Sequence, residues 1–394
     1  VNRYLLLDKR ATPSTASSLP IRMLPLRLWR VAGYEGRVND TLFQPAAVRP
    51  TSLAPRDQET LVFFGGDVQD YPEVMQMHRD NRNYQQWNLE RTARLLGQNF
   101  PNQHILVVRP ARIEFKSFSC YDNFVPSNNA GVPEHTPTHS SLRHLERLLQ
   151  GVSARLKQMP VSELLEAVSC LTLPEEIDIE ELHVSTLTSI YSPYYLLDKR
   201  WLDHNIITVI ILVSSYFRES LWWRSRLSLE QSRLTLVGFS KGCVVLNQLV
   251  YEFHYTKTLT PGDLHTMRFM ERISGMYWLD GGHAGGKNTW LTARSLLETL
   301  ARLGVNIYIH VSPYQVHDEA RPWIGREEKA FTGMLKQLGA KSRLREYAGN
   351  GQQHSPRYIK IFCDHQAAAK RGDYGKLPPY DKLLPADDVM CVCM

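Results

Sequence analysis

Apolar and polar positions along this chain follow two different periods, and the switches between them outline its elements. Residues 59–64 (ETLVFF) form a short continuous apolar run that ends in Gly65-Gly66-Asp67, the pattern of a buried strand. Leu89, Ala93 and Leu96 then share one helical face, with Gly97 near the end of the helix. HILVV at 104–108 predicts the next strand, while Pro, Asn and Gly crowd 117–135 and predict a loop. Residues 142–159 read as a charged amphipathic helix.

Periodicity is lost between 160 and 232, which holds an acidic run (PEEIDIEEL), a Tyr/Pro stretch and the greasy segment NIITVIILVSS. The apolar part of that segment, 206–213, is far short of the roughly 20 residues that span a bilayer, so no transmembrane span is predicted. From 234 the alternation is clean. Strands are expected at 234–239, 273–279, 305–311 and 341–347. Helices are expected at 243–253, with Val245, Leu249 and Phe253 in one stripe, and at 290–303 and 326–338, stopped by Gly304 and Gly339.

Strands alternating with helices imply a mostly parallel sheet covered on both faces, with ligands beyond the carboxyl ends of the strands. The expected fold is therefore α/β, a mostly parallel sheet with helices on both faces and a long irregular insertion at 160–232. In segments, 1–56 reads as a basic leader, disordered or targeting. Residues 57–159 read as the first half of the domain, 160–232 as the insertion, 233–363 as the second half and 364–394 as a tail.

Composition narrows the function classes. The chain has 394 residues, 43% of them hydrophobic, enough for a sizeable core. Its 46 basic and 40 acidic residues leave a net charge of only +6, with no basic stripe interleaved with aromatics, so no nucleic-acid partner is expected. Six scattered cysteines argue against a disulfide framework and for a reducing compartment. Residues 1–34 carry six basic residues against one acid, Asp8, around the hydroxylated stretch ATPSTASSLP. That composition suits a mitochondrial transit segment, and a basic leader of no address suits it equally. Composition by itself leaves a mitochondrial matrix, secreted or cytoplasmic location open.

The candidate chemistry lies just after predicted strands. Gly238-Phe-Ser240-Lys-Gly242 fits the nucleophile elbow, in which a strained strand-to-helix turn lifts a serine hydroxyl clear of the sheet. The glycines are needed because side chains on either side would collide with neighbouring elements. The following helix start favours a developing oxyanion, for which Lys241 and the earlier glycine turn, at Gly66 or Asp67, offer backbone amides.

The order for this fold is serine, acid, histidine. Asp318 follows the next-to-last strand and is favoured as the acid, with Asp280 in LDGGH as its rival. His354, after the last strand, is the expected base. His283, His310 and His317 compete less well, and Cys243 reads as a small buried helix residue. An acyl-enzyme mechanism on an ester, thioester or amide needs no metal or organic cofactor, so none is expected.

VGFSKGCVVLNQL, MYWLDGGHAGGKNTW, SPYQVHD, GGDVQDYPE and FSCYDNFVPSN together resemble an animal family called open reading frame 69 of human chromosome 2. The resemblance covers roughly 62–131 and 234–354. It implies a mitochondrial protein of α/β-hydrolase fold linked to respiratory function and glycogen handling, with a protein partner in those processes as an alternative to an acyl substrate. On the family pattern Ser240 is the presumed nucleophile and His354 falls on the C-terminal histidine. Both Asp280 and Asp318 lie in matching motifs. The first forty residues, the segment around 206–223 and the tail beyond about 364 depart from that pattern.

Overall fold

The structure is a computed structural model that describes residues 24–52, 54–164 and 221–346. Eight strands form one sheet: β1 (Leu26–Ala32), β2 (Val38–Gln44), β3 (Glu59–Phe64), β4 (Gln103–Val108), β7 (Arg233–Phe239), β8 (Ile273–Leu279), β9 (Asn306–Val311) and β10 (Ser342–Glu346). Their order is β1-β2-β4-β3-β7-β8-β9-β10. β2 runs antiparallel to both β1 and β4, and the other neighbouring strands are parallel. Strand order, the reversed second strand and the serine turn after β7 together make this an α/β-hydrolase fold. A small separate hairpin, β5 (Arg112–Glu114) with β6 (Phe118–Cys120), forms where loop was expected.

The central strands are apolar along most of their length because both faces are covered. Val62 and Phe64 pack into one core layer, Leu61 and Phe63 into the other, as the two-residue period of a strand requires. The first layer is closed by α3 (Ser141–Gln158), α4 (Cys243–Thr258), α6 (Arg294–Arg302) and α8 (Pro322–Gln337), and the second by α2 (Leu89–Asn99). Three short helices complete the set: α1 (Pro72–Gln76), α5 (Leu264–Met270) and α7 (Pro313–Val316). Among the described residues, no helix is long and apolar enough to cross a membrane.

Regular structure begins inside the expected leader and continues at the end of the expected insertion. Sheet starts at Leu26, and two of the six basic residues that suggested a leader, Arg27 and Arg30, belong to this edge strand. Leu26, Leu28 and Val31 of β1 point into the core, whereas Arg27 reaches Glu73 and Glu90, each at 2.6 Å. The expected insertion also ends early. Trp223 is buried against Phe43, with ring centroids 5.2 Å apart. Arg224 donates to the carbonyls of Leu156, Lys157 and Met159 and so closes the last turn of α3. Residues 1–23, 165–220 and 347–394, the last stretch including His354, lie outside the described residues.

Several buried polar groups tie core elements together. Glu252, on α4, accepts from the Ser141 and Leu142 amides at 2.7 and 2.8 Å and so satisfies the open start of α3. His104 accepts from the Ala46 amide through Nδ1 at 3.1 Å, and His144 accepts from the Tyr34 amide at 3.1 Å. Burial pushes the His104 imidazolium down to about 4 and, with nearby Arg37 adding to burial, that of His144 down to about 3.

Both rings are thus neutral when folded, but they protonate near the ordinary 6.5 when unfolded. The unfolded state binds more protons across that interval, so stability falls as pH drops from about 6.5 towards 4. Urea denaturation against pH is expected to show this loss beginning above the range of ordinary carboxylates. His104→Gln is expected to make its slope shallower.

Candidate active site

β7 ends at Phe239, turns through Ser240–Gly242 and enters α4. Ser240 has a φ of +50°, left-handed backbone that a serine adopts at a cost of about 1–3 kcal/mol. The flanking glycines make the turn possible. A Cβ on Gly242 would lie 2.0 Å from the Phe64 carbonyl oxygen, and one on Gly238 would lie 2.9 Å from the Cys243 backbone. The helix thus starts directly against the end of β3. Ser240 itself is only 5% exposed.

The glycine turn after β3 closes over the serine. A Cβ on Gly66 would sit 3.1 Å from Ser240 Cβ and 3.0 Å from the Phe239 ring. Four bonds hold this turn. The Tyr121 hydroxyl donates to the Gly65 carbonyl at 2.9 Å, Ser119 Oγ to the Gly66 carbonyl at 3.0 Å, and the Ser119 amide to Asp67 Oδ1 at 2.8 Å. The Gly66 amide itself donates to Gln69 Oε1 at 2.8 Å. Of the three amides expected to serve an oxyanion, that of Gly66 is therefore already engaged by Gln69.

The Lys241 side chain is wholly buried beside this turn. Its Nζ donates to the carbonyls of Ala130 (3.0 Å) and Gly131 (3.3 Å), and lies 3.7 Å from Asp67 Oδ2 and 5.6 Å from the Phe118 ring centre. It ties the elbow to the loop before α3 and to the hairpin. The sequence marked Lys241 only for its amide. Nothing in the motif signalled this side-chain role.

On the other side, Phe239 is in register with Leu279, so Ser240 and Asp280 leave adjacent parallel strands at the same level. Asp280 is also left-handed, with a φ of +53°, and is buried. Its Oδ1 accepts from the Ser312 amide and hydroxyl, both at 2.9 Å, and the same hydroxyl lies 2.8 Å from Oδ2. The Gly282 amide donates to the Ser240 carbonyl at 3.3 Å, which joins this loop to the elbow.

Ser312 was missed in the sequence, although it stands at the end of a strand, β9, as Ser240 and Asp280 do at the ends of theirs. Asp318 is engaged locally: Oδ1 caps the Ala320 amide at 2.8 Å and Oδ2 pairs with Arg321 at 2.6 Å, just before α8. These partners hold its carboxyl below the usual carboxylate range against the opposing effect of burial.

Of the competing histidines, His317 pairs with Glu346 at 3.3 Å and is largely exposed, and His310 lies within β9 with its carbonyl taken by the Asp280 amide. His283 is buried in the loop after Asp280. Burial raises the Cys243 thiol far above its ordinary value, which leaves it no part as a rival nucleophile. Among the described residues, no group of three or more His, Cys, Asp or Glu is placed to hold a metal ion. A cavity of about 330 Å³ lies away from Ser240, between α3, α4 and α5, lined by Ser140, Glu252, Thr256 and Asp263 among others.

Comparison with known proteins gives a family. Residues 27–341 match the C2orf69 family. The human relative, "Mitochondrial protein C2orf69", is 35% identical over 337 residues, covering 81% of this chain and 77% of its own length. The mouse homologue is 38% identical over 293 residues, covering 73% and 72%. The chain belongs to the C2orf69 family.

Among solved structures, a thermostable esterase aligns at a TM-score of 0.36 and 12% identity, over 88% of this chain and 62% of that one. A lipase/esterase from Lactobacillus plantarum aligns at 0.36 and 11%, over 89% and 100%. The fold assignment rests on the strand order above.

The elbow's strain predicts opposite effects of two substitutions. Ser240→Gly is expected to raise stability by about 1 kcal/mol by relieving the left-handed serine. Gly242→Ala is expected to lower it by about 3 kcal/mol or more, since the methyl meets backbone. Chemical denaturation of the two variants measures both.

Proposed function

We propose that this member of the C2orf69 family is a serine hydrolase acting on an ester, thioester or amide through an acyl-enzyme at Ser240. The observation that carries the reading is a left-handed serine at the strand-to-helix turn, level with a buried, hydrogen-bonded aspartate on the next strand. A turn this costly is commonly kept where a functional group must be presented. The family's curated relatives are named mitochondrial proteins, and the protein is mitochondrial.

In this reading Ser240 Oγ attacks the acyl carbon while His354 takes its proton. The oxyanion is met by the Asp67 and Lys241 amides, the leaving group departs with the proton from His354, and water then hydrolyses the ester. His354, beyond β10, keeps the role assigned from sequence. For the acid we favour Asp280 over Asp318. Asp280 leaves the strand next to the serine and is oriented by Ser312, whereas Asp318 is committed to Arg321. An aspartate that orients a catalytic imidazole needs such anchoring.

A second reading, a silent hydrolase-like fold that serves as a binding or regulatory partner in respiration or glycogen metabolism, is favoured by one observation, the near-complete burial of Ser240.

Fluorophosphonate labelling of the purified full chain separates the two. Wild type is expected to be labelled and Ser240→Ala not at all, while equal labelling of both would sink the hydrolase reading. Asp280→Asn is expected to slow labelling by roughly a thousandfold, and Asp318→Asn by no more than a few-fold.

A further inference from the structure

The residue after the serine and the residue after the glycine turn are joined by their own side chains. Lys241 follows Ser240, and Asp67 follows Gly66, where an added Cβ would lie 3.1 Å from Ser240 Cβ. Lys241 Nζ stands 3.7 Å from Asp67 Oδ2, with the lysine side chain wholly buried and the aspartate one-third exposed. The other carboxylate oxygen accepts the Ser119 amide at 2.8 Å, so Asp67 is gripped from two directions.

The chain builds a seat for the ammonium. The Ala130 and Gly131 carbonyls accept from it, and the Phe118 ring centre lies 5.6 Å away. Gly131 has a φ of +65°, and a Cβ there would lie 2.8 Å from Nζ and 2.8 Å from the Ser119 carbonyl oxygen. A side chain at 131 would therefore push the lysine out. A charge taken this far from water is kept only where its partners are in place.

The backbone beside the pair is strained. Val68, directly after Asp67, has a φ of +61°, an outlier for a β-branched residue, and its amide donates to the Ser117 carbonyl at 2.9 Å. Such strain persists only where the surroundings over-determine the conformation. Both turns joined by the pair thus carry a left-handed residue, Ser240 in one and Val68 in the other.

We infer that Lys241 and Asp67 are positioning residues whose side-chain ion pair sets the spacing between the elbow and the glycine turn. The inference rests on the hydrolase reading and deepens it, since that spacing places the backbone amides the reading assigns to the oxyanion. Neither side chain touches the reacting atoms in this role. Their geometry matters most when charge develops on the substrate oxygen, so loss of the pair slows the chemical step and leaves probe binding alone.

The test measures fluorophosphonate labelling of the full chain over a series of probe concentrations, which separates the limiting rate from the half-saturating concentration. Asp67→Asn keeps an acceptor for the Ser119 amide and removes the charge. It is expected to cut the limiting rate roughly tenfold, with the half-saturating concentration within about twofold of wild type. Lys241→Met also strands two carbonyls, and is expected to cut the rate roughly a hundredfold and to lower the melting temperature. The double variant is expected to be no slower than Lys241→Met, because both changes break one contact.

A wild-type limiting rate in Asp67→Asn overturns the inference. So do losses that multiply in the double variant, or a loss carried by the half-saturating concentration alone. Should Lys241→Met fail to fold, Asp67→Asn decides by itself. If wild-type Ser240 takes no label, the hydrolase reading falls and takes this inference with it. A labelled wild type matched by Asp67→Asn removes the inference alone.

Discussion

The close approach of α4 to the end of β3 is the constraint on which the site depends. With the Phe64 carbonyl where a side chain of Gly242 would stand, the helix can begin only directly against the strand. The chain leaving β7 then has room for a left-handed turn and little else, and Ser240 occupies it. The same contact draws the Gly65-Gly66-Asp67 turn onto the serine, because that turn continues from Phe64. The neighbours of β7 in the sheet, β3 and β8, thus deliver the two loops that enclose Ser240.

Around this turn, buried polar groups are used as fasteners. The charge of Lys241 is shared among two carbonyls and Asp67, and the Asp280 carboxylate is gripped by Ser312. Burying a charge is tolerable only when its bonds are made, and a network of this kind contributes fixed geometry more than net stability. The hairpin of β5 and β6 supplies the remaining clamps on the glycine turn through Ser119, as does Tyr121 just beyond it.

Much of the fold was legible in the sequence. Runs such as ETLVFF and HILVV, short and rich in β-branched and aromatic residues, read as strands buried on both faces, and the structure places strands there within a residue. The edge was not legible. β1 interleaves Arg27 and Arg30 with its core residues and is broken by an irregularity between Leu28 and Val31, so its period is lost and its charge resembles that of a leader. Residues 221–232 likewise lack a period of their own, because Trp223 and Leu227 are buried by contacts with distant parts of the chain rather than by a regular element.

The sequence by itself determined which residues stand at strand ends, because a hydrophobic period and a glycine-flanked serine are local features. It left Asp280 and Asp318 as rivals, and the backbone amides of the glycine turn as equals. Only the tertiary structure shows what partners each of these takes. Register set Asp280 level with Ser240, an arginine three residues on engaged Asp318, and Gln69 took the Gly66 amide. Those outcomes depend on strand order and on side chains from separate elements, contacts between distant positions that no local pattern encodes.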